Sequence, residues 1–355
     1  GIPKEIKTLE GRVGLIPAAC ADLVEAGHAV AVEAGAGLKS GYGDDEYRAA
    51  GVEILPDAAS VYGYGELIIK VKEPVAGDLA HLRPDHLLFC YLHLAAEIEL
   101  ARRLRAIGLT AIAFETVTQA GGLPLLAPMS DIAGRLAVQI GATLLHTPHG
   151  GKGLLLGGLP AAERGRVTVI GGGFAGGNAA AMAADLGAEV VVFDKKRDRL
   201  EAMRALGPNV TALYPYRDAV AEAVAASDLL IGAVLIPGAR APHVVSAAMV
   251  GTLTPGSVVV DISVDQGGCI ETIRPTDYSD PTYDWNGIVH FGVTNMPGAV
   301  PRSASQALSA AVLPYALQLA GEQNWTTDPG LAAGINIHAG DVVHPAVKVA
   351  LGGKH

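Results

Sequence analysis

Four polar residues stand where an α/β protein would offer them to a small molecule. His93 closes the apolar run LLFCYLH over 87–93, and its imidazole has the proton affinity suited to acid–base work near neutrality. Lys72 closes LIIKVK over 67–72, ahead of Glu73 and Pro74, and could donate to a carbonyl or a carboxylate. By the two-residue strand period Lys70 shares its face, while Ile69 and Val71 take the other. Asp265 closes VVVDISVD over 258–265, just before the turn Gln266-Gly267-Gly268, and could handle a proton of water or ammonia. Asp261 shares that face but sits deeper. Arg12 follows Glu10 and Gly11 in a polar turn and could clamp a carboxylate through two N–H bonds. Each position also has a plain structural reading: an exposed lysine, a hydrogen-bonded core histidine, a turn-capping aspartate.

A second chemistry is written in VTVIGGGFAG over 167–176, which is G-x-G-x-x-G at Gly171, Gly173 and Gly176. The first glycine permits a tight turn, the second lets backbone amides approach a pyrophosphate, and the third lets a helix pack closely on its strand. The helix N-terminus then presents unpaired N–H groups to the anion. In a chain with 45 glycines the motif alone is weak. Its context carries it: an apolar strand precedes, a helix ending at Gly187 follows, and the next strand ends on Asp194 at the spacing of a ribose-binding carboxylate. Such a carboxylate repels a 2′-phosphate and favours NAD. Lys195, Lys196, Arg197 and Arg199 follow it at once, and could either tolerate that phosphate or form a solvated helix start.

These residues need elements to hold them. The first part of the chain reads as strands over 29–33, 66–72, 87–93 and 110–115 with helices over 18–27 and 96–107, a parallel-sheet pattern without a glycine fingerprint. Ser130 reads as the cap of an amphipathic helix over 131–145, and a glycine-rich loop over 150–158 follows. A second α/β unit opens at Arg166, with strands over 167–170, 190–194, 229–234, 258–265 and 288–293, and a long helix over 303–319 follows Pro301. The expected fold is α/β, with two Rossmann-like doubly wound domains joined by long helices and an interdomain cleft. The first domain is expected to be discontinuous, 1–127 plus 305–355, around a dinucleotide-binding domain over 128–304.

Composition narrows the function. The net charge of −10, with dispersed basic residues, argues against a nucleic-acid partner. Half the residues are hydrophobic, yet the apolar stretches, such as 229–239, are too short to span a membrane and are broken by glycine and proline. Three scattered cysteines give no disulfide framework, and eleven histidines include no H-E-x-x-H and no Cys/His cluster, so no metal is expected. The N-terminal residues 1–4 read straight into folded-domain sequence without a targeting segment, so a reduced, cytoplasmic setting is expected.

Longer strings add a resemblance. GIPKEIK (1–7), RVGLIP (12–17), VEAGAG (32–37), VKEP (71–74), YLHLA (91–95), LAPMS (126–130), GAVLIPGA (232–239), DQGGC (265–269) and NMPGAVP (295–301) resemble the alanine dehydrogenase family over nearly the whole chain. The resemblance implies NAD as cofactor, the substrates alanine, pyruvate and ammonium, and a homohexamer. It implies that Arg12 and Lys72 hold the pyruvate carboxylate and carbonyl, and that His93 and Asp265 form the acid/base pair. Ser130, Phe174, Ala175, Asp194, Arg199, Val234, Leu235, the segment from Ile262 to Asp265, Val293, Asn295 and Met296 match cofactor-contacting positions. Two departures bear on the cofactor: the run FDKKR (193–197) is more basic than expected, and Pro215 stands where a serine contacting the adenosine is common. The soluble nucleotide-binding component of a proton-translocating transhydrogenase shares this architecture, and a non-catalytic dinucleotide sensor is a third reading. Lys72, His93 and the DQGG string favour the dehydrogenase.

Overall fold

Runs of Val, Ile and Leu closed by glycine or proline form short strands, and alanine-rich stretches form the helices between them. In the computed structural model, which describes residues 1–236, 241–321 and 325–352, these elements fall into two compact units. Gly1–Met129 and Val300–His355 make the first unit, and Ser130–Ala299 the second. In chain order the strands are β1 (Ala31–Glu33), β2 (Glu53–Leu55), β3 (Leu67–Ile69), β4 (Leu87–Cys90) and β5 (Thr110–Ala113) in unit one. Unit two contributes β6 (Arg166–Ile170), β7 (Glu189–Phe193), β8 (Val210–Leu213), β9 (Leu229–Gly232), β10 (Val258–Asp261), β11 (Thr282–Trp285) and β12 (Ile288–Phe291). The chain then adds β13 (Ile335–His338) and β14 (Asp341–Val342) to unit one.

Unit one holds a five-stranded sheet in the order β14-β13-β5-β4-β3, in which β3, β4 and β5 are parallel and β13 is antiparallel to β5. The pair β1-β2 is separate. The first residues of the chain join the two: Ile2 N donates to Ala31 O at 2.9 Å, and Ile69 N donates to Gly1 O at 3.0 Å. Ile68, Leu88, Cys90 and Ala111 pack with Leu100 and Leu104 of the helix Ile98–Ile107 on one face of the larger sheet.

Unit two is a seven-stranded sheet ordered β11-β12-β10-β9-β6-β7-β8, parallel except for the edge strand β11. Strand order reverses between β6 and β9, where ligands of open α/β sheets bind beyond the carboxyl ends. The glycine fingerprint lies there. Gly171 has φ +103°, and a Cβ on it would lie 2.5 Å from Ala233 O. A Cβ on Gly176 would lie 1.7 Å from Gly171 O, so only glycine lets the helix Phe174–Asp185 approach.

Several elements stop sooner than their hydrophobicity suggests. The strands expected over 66–72, 87–93, 110–115, 229–234, 258–265 and 288–293 end at Ile69, Cys90, Ala113, Gly232, Asp261 and Phe291. Burial continues past the strand ends, since Val71, Tyr91, Leu92, Phe114, Val264 and Val293 are all buried. An apolar run reports burial, not pairing. Asp265 therefore stands on a 3-10 turn, Val264–Gln266, and not on a strand end. The helix expected to start after Ser130 starts at Ala127, with Pro128 in its first turn, so Ser130 lies inside it and is no cap. The edge and hairpin strands β2, β8, β11, β13 and β14 were not expected, being short and in part polar. Residues 237–239 of the GAVLIPGA string lie outside the described residues.

The close approach at Gly176 has a direct test. Gly176→Ala is expected to cost about 1–3 kcal/mol through overpacking and to lower the melting temperature by several degrees. Gly63→Ala, in the helix Ala58–Tyr64 where a Cβ meets nothing within 4 Å, should be neutral or stabilising. Equal melting curves for the two variants would refute the packing argument.

Candidate active site

The segment carrying Arg12 has no regular structure, so its shape must come from side-chain bonds. The helix Pro301–Ala320 supplies them: Ser305 Oγ accepts from Val13 N at 3.0 Å, and Ser309 Oγ accepts from Ile16 N at 2.9 Å. Ser40 Oγ donates to Gly11 O at 2.8 Å. Arg12 itself is buried and forked onto Glu10, with Nε 2.7 Å from Oε1 and Nη2 2.5 Å from Oε2. Its Nη1 reaches Met129 Sδ at 3.1 Å. Burial pushes the Glu10 carboxyl up, but the hydrogen bonds and charge of Arg12 outweigh it and hold Glu10 down at about 2.

Lys70 and Lys72 share a face by strand period, yet their fates differ. Lys70 is buried, 3.2 Å from Asp78 and 3.4 Å from Glu5. Glu5 also accepts Val71 N at 2.6 Å and Lys72 N at 3.3 Å, which fixes the backbone at the tip of β3. Lys72 is part-buried and lies in the field of Arg12; desolvation first and Arg12 second lower its proton affinity.

His93 follows β4 by three residues, in the left-handed region at φ +51°, with its side chain 47% exposed. Its ring lies parallel to that of Tyr91, at 3° and 6.1 Å between centroids. Glu115 Oε1 accepts from His93 N at 2.6 Å. Unit one therefore brings Arg12 and Lys72 together with Glu10, and His93 together with Tyr91 and Glu115. The sequence reading passed over Glu5, Glu10, Tyr91 and Glu115. Glu115 had a usable signal, because it ends the run 110–115 just as Lys72 and His93 end theirs.

In unit two Asp194 is buried at the tip of β7, accepting Gly172 N at 2.8 Å, Lys196 N at 2.8 Å and Arg199 Nη1 at 3.2 Å. Of the basic run after it, Arg199 turns inward, while Arg197 is exposed and pairs with Glu201 along its own helix. Gly173 caps the helix Phe174–Asp185 without a side chain, and a Cβ there would meet only Arg199, at 3.6 Å. Ala175 lies in the first turn of that helix. Exposed apolar side chains gather beyond strand ends: Phe174 after β6, Tyr214 and Tyr216 after β8, Leu235 and Ile236 after β9. Asp261 is buried and spent on Ser263 N (2.8 Å), Cys269 N (2.7 Å) and Ile270 N (2.9 Å), whereas Asp265 is exposed. Ile262 N donates to Gly232 O at 2.8 Å, and Val234 packs against the core. Val293 is buried beside Thr276, Asn295 is part-buried, and Met296 O accepts from Tyr278 at 2.8 Å.

The arrangement can bind a carboxylate at a preset guanidinium, donate from a lysine, move protons at an imidazole or carboxylate, and cradle a dinucleotide. Its electrostatics also carry a pH signature. Because Glu10 is held near 2 against a reference of 4.5, its stabilisation is full above about pH 4.5 and is lost as pH falls towards 2. The difference is on the order of 3 kcal/mol. Glu10→Gln should unfold in less urea than wild type at pH 7, with the gap narrowing as pH falls from 4.5 to 2. A gap independent of pH would show that the ion pair contributes nothing.

Comparison with known proteins agrees with this layout. The family model described as alanine dehydrogenase/PNT, N-terminal domain, matches residues 1–133, and that described as alanine dehydrogenase/PNT, C-terminal domain, matches 137–345. The chain is 48% identical to an alanine dehydrogenase of Bacillus subtilis (strain 168), covering 99% of this chain and 94% of the relative. It is 49% identical to that of Halomonas elongata, covering 99% and 96%. A solved L-alanine dehydrogenase superposes with TM-score 0.95 at 49% identity, over 99% of this chain and 98% of that one. A transhydrogenase from Sinorhizobium meliloti gives 0.85 at 29%, over 97% and 98%. With both halves matched by its models and full-length relatives at nearly half identity, the chain belongs to the alanine dehydrogenase/PNT family.

Proposed function

We propose that this chain is an NAD-dependent oxidoreductase that interconverts L-alanine with pyruvate and ammonium. The observation that carries this reading is the pair of neighbouring cations, Arg12 and Lys72, in a part-buried setting. Arg12 opposes the charge on Lys72, and a bound carboxylate relieves that repulsion. Arg12, its fork preset by Glu10, pairs with the carboxylate of alanine or pyruvate. Lys72 donates to the keto oxygen. An ammonium with lowered proton affinity is well suited to stabilising negative charge that grows on that oxygen.

The residues of unit two fit a dinucleotide. Gly171, Gly173 and Gly176 leave room that a Cβ would fill, and the helix N-terminus has no side-chain cap competing for its N–H groups. Asp194 is assigned to the ribose hydroxyls, and Arg199 Nη1 donates to it at 3.2 Å beside the phosphate loop. Ser130, Phe174, Ala175, Val234, Leu235, Ile262, Val293, Asn295 and Met296 are assigned as further cofactor contacts. A nicotinamide dinucleotide held by these residues would supply the hydride acceptor for alanine oxidation and the hydride donor for the reverse reaction. His93 and Asp265 are assigned the proton transfers: one takes the amine proton, and one assists water as the iminium becomes pyruvate and ammonium. Among the described residues no helix is long and apolar enough to cross a membrane. The proposed assembly is a homohexamer in the cytoplasm.

Purified protein should oxidise alanine far faster than lysine or glutamate, and with NAD in preference to NADP. Asp194→Ala should narrow the cofactor preference, and light scattering should give six copies. Activity on lysine without activity on alanine would overturn the assignment. NADH binding with no amino-acid turnover would point instead to a transhydrogenase component or a sensor.

Asp265→Asn keeps the size of the side chain and removes its charge. Turnover should fall by about 10²–10⁴-fold, the range of acid–base assistance, with NADH affinity little changed. Loss of NADH affinity at unchanged turnover per bound enzyme would make Asp265 a cofactor contact only.

A further inference from the structure

His93 stands in a conformation that its side chain does not favour. A non-glycine residue in the left-handed region carries a steric cost, which the surroundings must offset. Strand β4 ends at Cys90, so the N–H groups of Leu92 and His93 lie beyond its ladder. Glu115 takes both. Its Oε1 accepts from His93 N at 2.6 Å, and its Oε2 accepts from Leu92 N at 3.2 Å. His93 O is taken from the other side, accepting Ala96 N at 2.8 Å and Glu97 N at 3.0 Å.

The clamp is itself held. Glu115 sits on the 3-10 turn Phe114–Thr116, directly after β5, with its side chain 13% exposed. Thr116 Oγ1 in that turn accepts from Asn336 Nδ2 at 2.9 Å. Because β4 and β5 are parallel and paired up to Cys90 and Ala113, the turn after one lies beside the loop after the other. The imidazole is bounded by the Tyr91 ring, and Nδ1 faces Glu115 Oε1 at 3.8 Å, too far for a hydrogen bond.

We propose that Glu115 is the positioning residue for His93: its carboxylate fixes the two peptide N–H groups that hold His93 in its left-handed turn, and so aims the imidazole at the substrate. The inference rests on the reading of His93 as a proton-transfer group. It needs only the bond-accepting oxygens of Glu115, so it separates the loss of those oxygens from the loss of charge.

A double-mutant cycle with full-length protein tests it. Removing the clamp in Glu115→Ala should cut alanine turnover by about 10²-fold, at the low end for lost acid–base assistance. NADH affinity, read by fluorescence titration, should stay as in wild type. Glu115→Gln keeps one oxygen at the place of Oε1, which lies 2.6 Å from His93 N and 3.3 Å from Leu92 N, and should recover most of the turnover. In a His93→Ala background, Glu115→Ala should remove almost nothing more, because both substitutions abolish one function. An equal, additive loss in that background overturns the inference and makes Glu115 a general support of the fold. Wild-type turnover in Glu115→Ala, with His93→Ala inactive, also overturns it but leaves the role of His93 intact. Wild-type turnover in His93→Ala removes that role, and the inference with it. If Glu115→Ala does not fold, Glu115→Gln and Glu115→Asp take its place. Asp, one methylene short, should lose turnover where Gln keeps it, and the reverse order overturns the inference.

Discussion

Parallel pairing forces the carboxyl ends of neighbouring strands to one edge of a sheet, and each unit gathers its strand-tip polar residues by that constraint. In unit one the tips of β3, β4 and β5 lead into Lys72, His93 and Glu115, residues more than forty positions apart across that stretch of chain. In unit two the tips of β6, β7, β9, β10 and β12 lead into Gly171, Asp194, Val234, Asp265 and Val293. The strands end one to four residues before these positions, which releases the backbone to turn. Burial continues, so the turns are packed and not loose. A tip loop of this kind can hold a polar side chain at a fixed angle, which a mid-strand residue, bound to the sheet on both sides, cannot vary.

Charge burial decides which of these side chains can act. Removing an ion from water costs several kcal/mol unless it is paired and hydrogen-bonded. Arg12 meets that cost through Glu10, which is held ionised in return. Lys70 meets it through Glu5 and Asp78, and Asp261 accepts three backbone N–H groups. Lys70 and Asp261 are spent on structure, whereas the pairing with Glu10 presets the Arg12 guanidinium. Lys72 stands two residues beyond Lys70, and Asp265 four residues beyond Asp261, as part-buried and exposed groups. The same contrast appears after β7, where Arg199 turns to Asp194 and Arg197 faces solvent.

The irregular segment 10–16 shows the complementary case. It has no ladder to define it, and its register comes from serine hydroxyls on a helix nearly three hundred residues later. The return of the chain after unit two is therefore part of what shapes the segment that carries Arg12. Helix Pro301–Ala320 turns Ser305 and Ser309 inward among apolar neighbours, each hydroxyl matched to one backbone N–H. Replacing either by alanine would leave a buried donor unpaired.

The sequence by itself determined the features that are local or periodic. The fingerprint at Gly171, Gly173 and Gly176 is one, since turn, approach and packing each exclude a Cβ within ten residues of chain. The alternation of apolar runs and helices is another, and so is the placement of Lys72, His93 and Asp194 near the ends of such runs. Tertiary structure alone decided where the ladders stop, because hydrophobicity measures burial and the tip loops are buried too. It decided that Lys70 is consumed while Lys72 is presented, since the carboxylates that make the difference come from residues 5 and 78. It also decided the roles of Glu10 and Glu115. A carboxylate acquires meaning from the donors that surround it: those of Glu10 lie two residues along the chain on Arg12, and those of Glu115 lie on the loop after β4, brought close by strand pairing that no single segment encodes.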